Sequence, residues 1–225
     1  MNKTKIEWCD YSWNPITGCL HGCWYCYAKK LTQRFPRNFP NGFKPTFFPD
    51  RLKEPWKVKK PSRIFVCSIA DLFAPWTPQL WTDDVLSSMH WCTTPHTFMM
   101  LTKNPERIPM WESFPENFWF GTTVTGEDHD DVNIDEIKKV HAKVRFVSFE
   151  PLLGPIDLDH HTLEAVEWVI IGKLTGSRKV KLKNSWLIDI REECNFYQIP
   201  IFEKNNLGLK NPRQEFPQVP KGVPA

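Results

Sequence analysis

Six short apolar runs, separated by longer amphipathic or polar stretches, restrict this 225-residue chain to a small set of folds. They are residues 63–69 (RIFVCSI), 97–101 (TFMML), 118–124 (FWFGTTV), 144–149 (VRFVSF), 167–171 (EWVII) and 199–202 (IPIF). Most are continuous rather than alternating, which suits parallel strands buried on both faces. Between them the sequence predicts helices. Residues 77–91 open with Thr77-Pro78 and residues 104–111 with Asn104-Pro105, each an N-cap side chain followed by a proline suited to the first turn. Further helices are expected over 130–140 and 184–195, and an extended stretch over 12–17. The order is strand then helix, repeated about six times, which calls for a parallel sheet with right-handed crossovers.

An open doubly wound sheet and a complete or partial (β/α) barrel both satisfy that order. In either, functional groups gather just beyond the strand C-termini. The residues there are polar: Ser68 and Asp71, then Thr102 and Lys103, then Thr123, Thr125 and Glu127, then Glu150, then Lys173. Any one of them is equally well a loop residue in water. Recurrence at the same end of successive strands points to a shared site. With room for about six βα units, the expected architecture is α/β, a partial (β/α)6 TIM-like barrel of parallel strands over 1–203, with a proline-rich tail over 204–225.

No apolar run approaches the roughly 20 residues that a spanning helix needs, and the first residues, MNKTKIEWCDYSW, have no apolar stretch of secretory type. Seven cysteines, an odd number, argue against a complete disulfide framework, so a cytoplasmic protein without a membrane partner is expected. The 20 prolines suit many short elements joined by stiff loops, and the 11 tryptophans require large apolar contacts or stacking partners.

Cysteine position says more than cysteine number. The segment Gly18-Cys19-Leu20-His21-Gly22-Cys23-Trp24-Tyr25-Cys26 contains Cys-x3-Cys-x2-Cys, with glycines where a loop wrapping a metal centre must turn. Three readings compete. Buried free thiols have no reason to adopt this spacing. Structural zinc wants four ligands, and Cys9 or His21 would have to supply the fourth. A four-iron cluster held by three cysteinates leaves one iron open, which a cluster needs if it is to bind a ligand and perform chemistry. Cys67, Cys92 and Cys194 are too widely spaced for a second motif and read as packing residues.

With Tyr25 directly before the last cysteine, in a loop after the first strand of a βα-repeat chain, this motif resembles that of the radical S-adenosylmethionine (SAM) enzymes. The blocks IEWCDYSWNPITGC, CYAKKL, RIFVCSIADLF, HTFMMLTKNPER, FWFGTTV, VRFVSFEPLLGPID and EWVIIG resemble, in order, an uncharacterised radical-SAM family common in phages and prophages, and they cover most of residues 6 to 172. The resemblance implies that Cys19, Cys23 and Cys26 ligate a [4Fe–4S] cluster while SAM chelates its fourth iron. Reductive cleavage of SAM would then generate the 5′-deoxyadenosyl radical, which abstracts a hydrogen atom from substrate. It implies an external electron donor of flavodoxin or ferredoxin type, and Tyr25 packed beside the adenine, with Trp24 and Tyr27 shielding the cluster. For the methionyl amino group the candidates are Ser68 and Asp71, and for its carboxylate Lys103. Thr123, Thr125 or Glu127 would serve the ribose, and Glu150 a SAM or substrate contact. The chain departs from the family in its short Cys-x3-Cys spacing, and in Gly172-Lys173-Leu174-Thr175-Gly176 where relatives carry Gly-Gly-Glu-Ser-Gly.

Charge suggests a substrate class. Residues 29–63 carry eleven Lys/Arg against Asp50 and Glu54, interleaved with Phe35, Phe39, Phe43, Phe47, Phe48 and Trp56, and a second basic run occupies 178–183. Cations for phosphates and rings for bases are the ingredients of nucleic-acid binding, so a nucleic-acid or nucleotide substrate is one expectation. The other is that the rings plug the apolar side of a long loop while the lysines solvate it. An iron–sulfur or zinc nucleic-acid-binding protein without SAM chemistry is the rival to the enzyme.

Overall fold

The structure, a computed structural model, describes residues 1–127, 130–158, 161–176 and 180–218. Arg178 and Lys179 of the second basic run and residues 219–225 of the expected tail lie outside the described residues. The described residues form two compact units, one over Met1–Thr102 and one over residues 103–218.

In the first unit, β1 (Asn2–Lys3) pairs antiparallel with β2 (Tyr11–Trp13), which pairs parallel with β5 (Arg63–Val66), itself parallel to β6 (Thr97–Thr102). A small antiparallel pair, β3 (Ile16–Thr17) and β4 (Thr46–Phe47), lies apart from that sheet. Helix α1 spans Tyr27–Arg34 and α2 spans Gln79–His90. The apolar runs bury as their composition requires: Trp13, Ile64 and Phe98 have no exposed surface. The indole N–H of Trp13 donates to the Arg51 carbonyl at 2.8 Å, so this buried ring keeps its polar edge satisfied.

In the second unit, β7 (Phe118–Thr123), β8 (Val144–Phe149), β9 (Trp168–Ile171) and β10 (Ile201–Glu203) pair parallel in that order, with α3 (Val132–Lys138) and α4 (Asn184–Phe196). All six residues of β7 are buried, as expected of a strand covered on both faces. Trp168 anchors the core: its ring packs against Trp119, Phe146, Phe202 and Phe216, and its N–H donates to the Glu215 carbonyl at 2.9 Å.

The helix expected over 104–111 is a single 3-10 turn, Pro105–Arg107. Asn104 makes no side-chain cap, and Pro109 lacks the N–H that a longer helix would have to donate there. Residues 204–216 run beside β10. The fully buried Glu203 carboxylate accepts from Arg191 Nε at 2.5 Å and from the Arg213 backbone N–H at 2.8 Å, while the Arg213 guanidinium grips Glu215 with two bonds, 2.9 and 3.0 Å. A buried carboxylate demands such partners, so the chain here is fixed through Phe216.

Candidate functional site

The cysteine loop follows directly from β3. Gly18 donates its N–H to the Ile69 carbonyl at 3.0 Å, and Cys19 donates to the Phe43 carbonyl at 3.1 Å, so the loop is pinned from two sides. Gly18 sits at φ +87°, and a Cβ built there would lie 2.2 Å from the Lys44 carbonyl oxygen, which no side-chain residue tolerates. At the far end, the Cys23 carbonyl accepts from the Cys26 N–H at 3.1 Å, and Cys26 is the N-cap of α1, its sulfur accepting from the Lys29 N–H at 3.4 Å. The motif therefore spans a loop fastened at its start by backbone pairing and closed at its end by a helix.

All three thiols are partly accessible and unpaired with one another as disulfides. Burial pushes the Cys19 thiol up to about 12; the backbone N–H of His21 opposes this, while Asp71 and the thiols of Cys23 and Cys26 add to it. Burial thus favours the neutral thiol at Cys19, as it does at Cys67 and Cys194. Among the described residues no group of three His, Cys, Asp or Glu is gathered to hold a metal ion. Three cysteines carried by one loop are donors of the kind that either zinc or an iron–sulfur group takes.

Asp71 is in contact with this loop through His21. It is 5% exposed, and its Oδ1 accepts from the Thr102 hydroxyl at 2.6 Å and from the Phe73 N–H at 3.1 Å. Its Oδ2 lies 2.8 Å from Nε2 of His21, the residue midway between Cys19 and Cys23, whose ring also meets Trp76 edge-on. The carboxylate expected to meet an amino group thus also orients the cysteine loop, a role that sequence reasoning missed. Ser68 follows Cys67, whose φ of +56° turns the chain at the end of β5. The Ser68 hydroxyl donates to Asn14 Oδ1 at 3.2 Å, and its carbonyl accepts from the Tyr27 hydroxyl, tying α1 to the same strand end. Tyr25 packs edge-on against Trp24 with centroids 5.6 Å apart.

The remaining candidates belong to the second unit. Lys103 Nζ lies 4.0 Å from Asp130 Oδ2, and Asp130 accepts from the Thr125 N–H and hydroxyl, both at 2.6 Å, and from the Gly126 N–H at 3.1 Å. Thr123 is buried at the end of β7, and the Glu127 N–H reaches the Thr125 hydroxyl at 3.4 Å. Glu150, just past β8, pairs with Lys204, just past β10. Lys103, Thr125 and Glu127 are thus gathered around Asp130, whereas Glu150 belongs with Lys204. Neither Asp130 nor Lys204 is legible as a partner in the sequence. Asp130 has only its place four residues beyond the Gly126 turn to mark it, and Lys204 falls in the expected tail although it directly follows a strand.

The basic, aromatic segment packs largely onto its own unit. Phe47 stacks on Trp81 of α2 at 5.4 Å, the Trp56 indole donates to the Ser88 carbonyl at 3.0 Å, and the Arg51 guanidinium lies 3.8 Å over Phe48 while bonding the Asn14 carbonyl. Lys53 sits over Trp56. These rings plug the loop against the fold, in line with the plainer of the two expectations.

A family model described as "Protein of unknown function (DUF5131)" matches residues 3–215. No curated protein matches the chain. Among solved structures, spore photoproduct lyase complexed with dinucleoside spore photoproduct is similar at 12% identity and a TM-score of 0.53, over 76% of this chain and 57% of that one. A double mutant of that lyase with bound AdoMet and dinucleoside spore photoproduct is similar at 10% identity and 0.54, over 85% and 62%. The chain spans about three-fifths of the length of those structures. At such identity the likeness shows the fold: α/β, of the partial TIM-like barrel class with parallel strands that the sequence led us to expect.

Proposed function

The chain belongs to the DUF5131 family of proteins of unknown function, and from that premise we propose that it is a radical SAM enzyme acting on a nucleotide or nucleic-acid substrate. The observation that carries the reading is the Cys19, Cys23 and Cys26 loop, which leaves β3 and closes into α1, in a chain with the fold of a lyase solved with AdoMet bound. Cys19, Cys23 and Cys26 would hold three irons of a [4Fe–4S] cluster, the fourth iron being left to SAM. Bound there, these groups would supply reductive cleavage of SAM and removal of a hydrogen atom from substrate.

The chain's own part is to hold and shield. Asp71 fixes His21, and His21 sits in the middle of the cysteine loop, so this contact helps to hold the loop that presents the thiols. Tyr25 is assigned to the adenine. Ser68 and Asp71 are assigned to the methionyl amino group, and Lys103 to the carboxylate, on charge complementarity. Thr123, Thr125 and Glu127 are the ribose candidates, and Glu150, with Lys204, the contact for substrate. The dinucleoside bound to the similar lyase structures supports the substrate class.

The test is chemical. Protein reconstituted anaerobically with iron and sulfide, then given dithionite and SAM, is expected to accumulate 5′-deoxyadenosine, and the Cys19→Ala, Cys23→Ala and Cys26→Ala variants are not. Cleavage of SAM that persists without these cysteines, or no cleavage by the iron-loaded wild type, would sink the reading.

A further inference from the structure

From Tyr11 to Pro49 the chain contains no carboxylate but five cations, Lys29, Lys30, Arg34, Arg37 and Lys44. Within that stretch lies an unusual surface. Five of the twelve exposed large apolar side chains among the described residues fall inside residues 20–35: Leu20 at 56% exposure, Trp24 at 40%, Tyr27 at 54%, Leu31 at 36% and Phe35 at 45%. Tyr27 and Leu31 are four residues apart on α1, and Phe35 follows four later as its C-cap, so the three line one side of the helix. Leu20 and Trp24 adjoin them in sequence through the cysteine loop. Lys29, Lys30, Arg34 and Arg37 are all exposed around this stripe. An apolar strip with a one-signed rim marks an interaction surface for a partner of opposite charge.

We propose that this face docks an acidic one-electron carrier protein, of flavodoxin or ferredoxin type. The proposal rests on the radical SAM reading, which needs one electron per SAM cleaved. Three features select that partner. First, the face ends on Cys26, whose sulfur caps α1, so a carrier seated here stands next to the group that the cysteine would hold. Second, five side chains make a small patch, and redox encounters are the small-interface class, below about 1,200 Å². Third, Trp24, Tyr27 and Phe35 share the strip with the aliphatic Leu20 and Leu31, a mixed apolar face of the kind a protein partner covers, while the rings farther along, Phe47, Phe48 and Trp56, already face partners within the fold. The step balances simply: the carrier's reduced centre loses one electron, the group at Cys26 gains it, and no atom is transferred.

Direct binding is the primary test. A flavodoxin carrying oxidised flavin mononucleotide is titrated into the reconstituted protein at low and at high salt, and into the variant Lys30→Glu/Arg34→Glu and, separately, Leu31→Ser. We expect measurable binding at low salt that weakens as salt rises, and about tenfold weaker binding for each variant. Circular dichroism and dithionite-driven cleavage of SAM, which needs no carrier, should match wild type in both. Cleavage driven by reduced flavodoxin should fall in both. Absence of flavodoxin binding at low salt, or equal binding by the variants, would overturn the proposal. So would a single-stranded oligonucleotide whose binding depends on Lys30 and Arg34 while flavodoxin does not bind. Failure of dithionite itself to support cleavage would strike the radical SAM reading, and is therefore separable from failure of the docking face.

Discussion

His21 and Asp71, fifty positions apart, meet with Nε2 and Oδ2 2.8 Å apart, and the carboxylate is 5% exposed. This contact joins the middle of the cysteine loop to the segment that follows β5. It lets a loop with almost no regular structure hold a defined shape. The same carboxylate accepts from Thr102 and from its own turn, so it is a hub rather than one half of a pair.

Removal of that hub should be felt. Asp71→Ala leaves the Thr102 hydroxyl and the Phe73 N–H without their buried acceptor, at about 1–3 kcal/mol for each. Asp71→Asn keeps one acceptor oxygen and should cost less. In a double-mutant cycle with His21→Ala, chemical denaturation should give a coupling of at least about 0.5 kcal/mol. Additive losses would mean that the two side chains do not support each other.

Two glycines of the loop make opposite predictions. Gly18→Ala places a methyl group 2.2 Å from the Lys44 carbonyl oxygen and must displace backbone, so iron incorporation should be largely lost. At Gly22, with φ +71°, an added Cβ would meet nothing within 4 Å. Gly22→Ala should therefore cost only the left-handed penalty of about 1–2 kcal/mol and still take up iron. Iron content after reconstitution is the readout. Equal behaviour of the two variants would contradict the described loop path.

Alkaline pH should weaken the fold through two buried thiols outside the cluster motif. Burial pushes both Cys67 and Cys194 from 9.0 up to about 12. Between those values the unfolded chain binds fewer protons than the folded one, so stability falls as pH rises through that window and is intact below it. The melting temperature of wild type should drop more steeply above pH 9 than that of Cys194→Ala. Parallel slopes would show that Cys194 is not the titrating group.

Much of the fold is legible because burial writes itself into composition. The runs at 118–124 and 144–149 lack polar alternation since both faces of β7 and β8 are covered, and the structure places them within a residue of the expected bounds. The Asn104-Pro105 signal misleads because an N-cap pair starts a turn but does not sustain one. The cysteine motif is visible because its ligands are near in sequence. His21 with Asp71, Thr125 with Asp130 and Glu150 with Lys204 are not recognisable as pairs. Two of these join residues fifty or more positions apart, and no periodicity announces which polar side chains will share a strand end. The basic residues of 29–63 show the same limit: their charge is plain, but whether Phe47 and Trp56 face solvent or α2 depends on packing.

The most direct test of the account is electron paramagnetic resonance of the anaerobically reconstituted, dithionite-reduced protein before and after SAM is added. About four irons per chain and a [4Fe–4S] signal are expected. That signal should change on addition of SAM, and it should be lost when Cys19, Cys23 or Cys26 is replaced by alanine. Zinc in place of iron, or a reduced-cluster signal that SAM leaves unaltered, would contradict it.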